Sequence, residues 1–209
     1  VYGTYEFNDL IGDYESLTVT DHSVDGDVLS FDLGDSASGN VAIEDGHVVI
    51  TWEDTAHDRL AMTFDCKQAD KFFGLGAQVS FEHRGYRVPV WVQEQGNGKA
   101  DRGEEPVVFG LSGSHYQSYA PVPFVMMSRP LGVQLDSTWR SEFEMCESED
   151  HFRVEIFATT FKMRIYPGDS VKEVMETYTA KTGRARPVNR WTYGPWIDTF
   201  GGPDILIDA

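Results

Sequence analysis

Alternation of apolar and polar positions dominates the first part of the chain. Segments 14–20, 28–33, 40–44, 48–52 and 60–64 each mix β-branched and aromatic residues with polar ones at every second position, the period of a strand with one buried face. Asp25-Gly26 and Asp45-Gly46 separate two pairs of these runs. Both dipeptides tolerate the positive φ that two-residue hairpins need, so the spacing predicts two tight antiparallel hairpins.

A second block of short apolar runs follows at 87–92, 122–127, 131–136, 143–146, 152–157 and 161–166. Many short strands joined by turns predict a β-sandwich. Between the blocks, 95–117 is rich in Gly, Ser and charge with weak periodicity. It reads as a long loop carried on the sandwich, and loops of that length inside a compact domain are commonly functional.

One helix is predicted after Gly168. Ser170 caps the chain end, Glu173 completes a capping box, and Val171, Val174, Met175 and Tyr178 form one apolar face. Gly183 ends the helix and Pro187 forbids its simple continuation. Beyond a linker, 191–197 reads as a new buried strand, and 201–209 as a loop leading towards another helix. These boundaries divide the chain into a sandwich over 1–168, a connection over 169–190, and the start of a further unit over 191–209.

Composition narrows the partners. With 209 residues and 41% hydrophobic content there is enough apolar surface for one domain with a substantial core. A formal net charge of -17 repels phosphate backbones and anionic lipid heads, so neither nucleic acid nor a membrane surface is an expected partner. There is no run of about eighteen apolar residues, so no membrane-spanning helix is predicted, and Val1-Tyr2-Gly3 has none of the basic and apolar regions of a signal peptide. Aromatic residues, at 13%, supply faces that can stack on sugar rings.

Candidate chemistry outside sugar binding is sparse. Cys66 and Cys146 match neither a zinc spacing nor a redox pair; two core thiols are the favoured reading and one disulfide the alternative. The six histidines contain no pair at metal-ligand spacing, so neither metal nor other cofactor is predicted. Gly74-Leu75-Gly76 lacks the third glycine and following helix of a nucleotide loop. Ser114-His115 lacks a third catalytic group.

Several segments carry a resemblance. Phe72-Phe73-Gly74-Leu75-Gly76-Ala77-Gln78 resembles the F-x-G-L-G-E signature of family 31 glycoside hydrolases, with Ala77 in place of the usual Glu. Pro121-Val122-Pro123-Phe124-Val125-Met126-Met127-Ser128, followed by Gly132-Val133 and Asp136, resembles that family's P-x-P-F-x-x-S and G-x-x-x-D strand pair. Tyr178, Gly183, Arg184 and Pro187, then Trp191, Gly194 and Trp196, are similar to the approach to its catalytic barrel. These segments stand in the family's order, whereas 1–70 matches only in strand pattern. Arg84-Gly85, Pro89, Trp91, Glu94-Gln95-Gly96 and Gly98 resemble a segment of the sulfoquinovosidase branch, with Lys99 in place of its final Arg.

The resemblance implies a mainly β fold: an antiparallel, galactose-mutarotase-like β-sandwich, then one helix and the first strand of a (β/α)8 barrel truncated at residue 209. It also implies the N-terminal portion of a retaining α-glycosidase, in which one carboxylate attacks the anomeric carbon and another protonates the leaving oxygen, roughly 5 to 5.5 Å apart. Both carboxylates are aspartates on later barrel strands, so no catalytic residue is assigned within 1–209. Barrel sites form at the C-terminal ends of strands. Asp198, through a sugar hydroxyl, and Phe200, by stacking, are therefore candidate substrate contacts, with structural support and loop packing as their alternatives. Gln93, Glu94 and Gln95 lie in a loop that in relatives helps close the pocket; an ordinary turn hinged on Gly96 and Gly98 is the alternative. In the sulfoquinovosidase branch a Gln before the Gly-Gly that follows the first barrel strand helps hold the sulfonate, and Phe200 stands there instead. The partners implied are a carbohydrate substrate and the remainder of the barrel, in the same or another chain, with a homo-oligomer left open. A stand-alone carbohydrate-binding sandwich is the alternative function.

Overall fold

The computed structural model describes residues 14–78, 80–92, 116, 118–147 and 151–195. Among these, twelve strands form two antiparallel sheets. The larger runs β1 (Val19–Asp25), β2 (Val28–Leu33), β3 (Ala37–Glu44), β4 (His47–Asp54), β12 (Thr160–Pro167), β9 (Leu131–Leu135), β8 (Pro121–Met127) and β6 (Phe72–Gly76). The smaller runs β5 (Leu60–Asp65), β11 (His151–Ile156), β10 (Ser141–Met145) and β7 (Tyr86–Val90). The mainly β, antiparallel sandwich expected from the alternation is the fold observed.

Both hairpins form, one of them displaced by a residue. Glu44 faces His47 across Asp45 (φ 50°) and Gly46 (φ 82°), the positive-φ pair that matches strand twist. In the first hairpin Asp25 pairs with Val28, so the turn is Gly26-Asp27 rather than Asp25-Gly26. The run at 14–20 becomes a strand only from Val19. Tyr14 instead donates its hydroxyl to Glu155 at 3.0 Å and lies under the Arg153 guanidinium.

The core is the space between the inner faces. Phe72, Leu75, Val88, Phe143, Phe152, Val154, Ile156 and Phe161 are fully removed from water, each contributing about 1.5–3 kcal/mol of apolar burial. Phe152 lies at the centre, its ring within 6.4 Å of those of Phe64, Phe72 and Phe143. The other face of the smaller sheet carries charge. Glu144 bonds Arg87 (3.0 Å), Arg153 (3.2 Å) and His151 (3.0 Å), Glu142 bonds Arg140 (2.9 Å), and Glu155 bonds Arg59. Burial holds the Glu142 carboxyl above its ordinary range, against the pull of Arg140 and Arg87.

Cys66 and Cys146 form a disulfide, which corrects the favoured reading of two thiols. They follow β5 and β10, the two neighbours of β11, so the sheet itself brings their Cα atoms to 6.2 Å, within bridging range. The Arg84 guanidinium faces both sulfurs and donates to the Lys67 and Asp70 carbonyls at 3.0 and 3.2 Å.

The helix α1 (Val171–Thr182) is capped as predicted at Ser170, whose hydroxyl accepts from the Glu173 N–H at 3.2 Å. The reciprocal bond runs from the Asp169 N–H to the Glu173 carboxylate (2.8 Å), one residue before the cap. Val174 is fully buried, and Tyr178 stacks on Phe124 with ring centroids 3.7 Å apart. Gly132 makes this fit possible, because a Cβ there would stand 2.7 Å from a Val174 methyl. Val171 and Met175, expected on the same face, are exposed.

The chain resolves into two compact units, Val1–Tyr178 and Thr179–Ala209. In the second, the strand expected from Trp191 is absent from the described part. Arg190–Tyr193 forms a 3-10 helix, closed by Thr192 N–H to Asn189 O and Gly194 N–H to Trp191 O, both 3.0 Å. These local bonds consume backbone groups that a strand would offer its neighbours, and Trp191 and Tyr193 are exposed. Trp196 and Ile197, the remainder of the expected barrel strand, lie outside the described residues.

Candidate functional site

The five candidate substrate contacts, Gln93, Glu94, Gln95, Asp198 and Phe200, all lie outside the described residues. What the structure defines is the part of the sandwich that flanks the first three. Val92, just beyond β7, forms a parallel bridge with Ser118, just before β8. The residues that flank segment 93–117 therefore meet at one point of the sandwich, the base of that segment.

That base is built by the F-x-G-L-G motif. Gly74, Leu75 and Gly76 take φ of 123°, 61° and 87° in succession, and pairing with β8 shifts register between Gly74 and Gly76. The distorted turn directs the Ala77 N–H onto Ala120 O at 3.0 Å, while Ser118 Oγ donates to Ala77 O at 2.8 Å and accepts from Ala120 N–H. A side chain at Gly76 would meet Ala120 O at 2.1 Å. Leu75 accepts a conformation that is strained for a side-chain-bearing residue, at a cost of about 1–3 kcal/mol, and is fully buried in the core.

Tyr116, on the returning limb, closes the seam between the edge strands β6 and β7. Its ring meets His83 at 5.7 Å and Tyr86 at 5.3 Å. Burial, together with the neighbouring Tyr86 hydroxyl, pushes the Tyr116 hydroxyl up to about 12, so it remains a neutral phenol at physiological pH. His83 is buried too, with Nε2 3.2 Å from Gly74 O, which ties the seam back to the motif.

A cleft of about 890 Å³ opens at the same end of the sandwich, as the strand pairing requires. Val90 at the end of β7 pairs with Ser141 at the start of β10, and Ser141 also pairs with Ile156 at the end of β11. Gly76 at the end of β6 pairs with Pro121 at the start of β8. The cleft is lined by Asp58, Arg59, Asp136, Ser137, Trp139, Phe157, Ala158, Thr159, Thr160 and Lys162. At its floor the Arg59 and Arg140 guanidinium carbons lie 4.4 and 4.1 Å from the Phe157 ring centroid. Asp136 is held by Lys162 (3.3 Å) and Arg164 (3.2 Å). Nearby, His57 Nδ1 lies 2.7 Å from Asp54 Oδ2. Burial alone would raise the Asp54 carboxyl, but hydrogen bonds from Ala56, His57 and Ser36 outweigh it and hold the group below its ordinary range. The Asp54 hydrogen bond and charge hold the His57 imidazole above its own.

The description "Glycosyl hydrolase 31 N-terminal galactose mutarotase-like domain" matches residues 13–144. The chain belongs to this glycoside hydrolase family 31. It is 24% identical over 196 residues to a sulfoquinovosidase of Agrobacterium fabrum, covering 91% of this chain and 29% of that protein. It is 27% identical over 144 residues to the alpha-xylosidase XylQ of Lactiplantibacillus pentosus, covering 68% of this chain and 16% of that one. A GH31 family sulfoquinovosidase structure from E. rectale, in complex with an aza-sugar inhibitor, superimposes with a TM-score of 0.81 at 21% identity, over 91% of this chain and 30% of that one. This chain thus spans about three tenths of the sulfoquinovosidases it matches.

Family membership gives the loop base its context: the matched region contains both the F-x-G-L-G turn and the root of segment 93–117. Among the described residues no group of three His, Cys, Asp or Glu is placed to hold a metal ion, and no helix is long and apolar enough to cross a membrane. The cleft was not found by sequence reasoning, because its lining comes from three separated segments that only the sandwich brings together. The one local signal was Ser137-Thr138-Trp139-Arg140, a tryptophan in a polar connection between two strands.

Proposed function

We propose that this chain is the sandwich-bearing portion of a retaining α-glycosidase, and that its task is to hold segment 93–117, with Gln93, Glu94 and Gln95, at the mouth of a catalytic barrel. The observation that carries this reading is the closure of Val92 onto Ser118 beside the F-x-G-L-G turn, in a chain of this family. Residues 1–168 serve as the sandwich, 169–190 as the connection, and 191–209 lead into the barrel. The barrel's remainder, from the same or another chain, supplies the two aspartates, one as nucleophile and one as acid. A homo-oligomer is compatible with this arrangement and is not required by it.

Glu94, Gln93 and Gln95 offer carboxylate and amide groups suited to sugar hydroxyls, while Asp198 bonds a hydroxyl and Phe200 lies against the apolar face of the innermost sugar. A phenyl ring cannot donate a hydrogen bond to a sulfonate. Losing one such charge-assisted contact costs about 1.5–3 kcal/mol, roughly 10- to 150-fold in affinity. The substrate is therefore a neutral α-linked sugar, although relatives of this chain include sulfoquinovosidases. Comparing kcat/KM of the complete protein on a sulfoquinovoside with the matching glucoside and xyloside tests this. Preference for a neutral glycoside is expected, and a preference of about a hundredfold or more for the sulfoquinovoside would overturn it.

A further inference from the structure

The cleft at the end of the sandwich contains side chains for which the fold itself has no use. Trp139 is 66% exposed although it is the largest apolar residue in its connection. Its backbone is pinned by an N–H to Ser137 Oγ bond of 3.1 Å, so the exposed ring stands on an ordered turn. Among the described residues, no hydrogen bond engages the side chains of Asp58, Thr159 or Thr160, which line the same space.

The remaining lining is already neutralised. Arg59 pairs with Glu155, and Asp136 is shared between Lys162 and Arg164. An anionic ligand would have to displace Glu155 or Asp136 from its cations and would meet the Asp58 carboxylate, whereas a neutral ligand leaves these pairs intact. A cleft of this volume falls within the range of small-molecule sites, about 300–1,000 Å³. An indole face beside two hydroxyls and a carboxylate offers what a pyranose needs, an apolar surface for its C–H face and acceptors and donors for its equatorial hydroxyls.

We propose that this cleft binds a neutral pyranose unit of an oligosaccharide, its ring face on Trp139 and its hydroxyls on Asp58, Thr159 and Thr160. The choice of a sugar rests on the glycosidase reading above. The binding is read from one residue rather than from turnover, so either claim can fail alone. One stacking platform with a few solvent-exposed hydrogen bonds gives weak affinity, with Kd around the millimolar level.

The test uses the complete protein that carries this chain, labelled with 5-fluorotryptophan, with the Trp139 fluorine resonance assigned by its loss in Trp139→Phe. Maltotriose and isomaltotriose, added to about 20 mM, are expected to shift that resonance in a saturable way. Mannitol, a polyol without a ring face, should leave it in place. Thr160→Val should weaken the sugar response about 3- to 10-fold, the loss of one hydrogen bond. A Trp139 resonance unmoved by either sugar, an equal response to mannitol, or an unchanged affinity in Thr160→Val would overturn the proposal.

Discussion

Single backbone positions set the loop base. Gly76 combines a φ of 87° with a site where a Cβ would stand 2.1 Å from Ala120 O, whereas Gly46 has a similar φ of 82° and nothing within 4 Å. Gly46→Ala therefore reports conformational strain alone, about 1 kcal/mol. Gly76→Ala adds a backbone clash and should lose at least about 2 kcal/mol, as measured by urea denaturation. Equal losses would show that the F-x-G-L-G turn relaxes freely. Ionisation at His57 and Asp54 gives a second residue-scale expectation. The folded His57 value is raised above 6.5, so its contribution is fully present below that pH and is lost as pH rises through the raised value. The Asp54 value is lowered below 3.8, so its contribution is present above 3.8 and is lost as pH falls through the lowered value. A thermal-stability profile of His57→Gln should lack the alkaline loss expected of the parent protein. Superimposable profiles above pH 6.5 would refute that assignment.

At the scale of elements, local chemistry was legible where it is local. Asp45-Gly46 takes the predicted positive φ at both positions, and Ser170 caps α1, because these features depend on adjacent residues. β6 was not predicted as a strand, since three successive positive-φ residues interrupt any alternation and its pairing is decided by β8. The disulfide joins cysteines 80 residues apart, a proximity created only when β5 and β10 flank β11. The run from Trp191 has the apolar composition of a strand, yet four of its residues and neighbours close into a 3-10 helix through bonds that composition does not encode. Closing so long a loop restricts the unfolded chain, so replacing both cysteines by Ala should cost about 2–4 kcal/mol. Guanidinium denaturation of the oxidised parent and the Cys66→Ala/Cys146→Ala variant measures this, and equal midpoints would contradict it.

Across the whole molecule, the net charge of -17 coexists with buried acids on the smaller sheet that are each matched by arginine. Among the described residues, the charge buried in this sheet is thus balanced. The sandwich brings the root of segment 93–117 and the Trp139 cleft to one end, a convergence that strand register dictates and that no linear motif announced. The proposed substrate contacts Gln93, Glu94, Gln95, Asp198 and Phe200 rest on residue type and family resemblance alone, and they lie outside the described residues. The proposed function makes the complete protein an α-glycosidase acting with retention. The direct measurement is proton NMR of the first sugar released from an α-glucoside or α-xyloside by the complete protein, recorded before mutarotation. The α-anomer should appear first, because two displacements at the anomeric carbon restore its configuration. Initial release of the β-anomer, or no hydrolysis of any α-glycoside, would contradict the account.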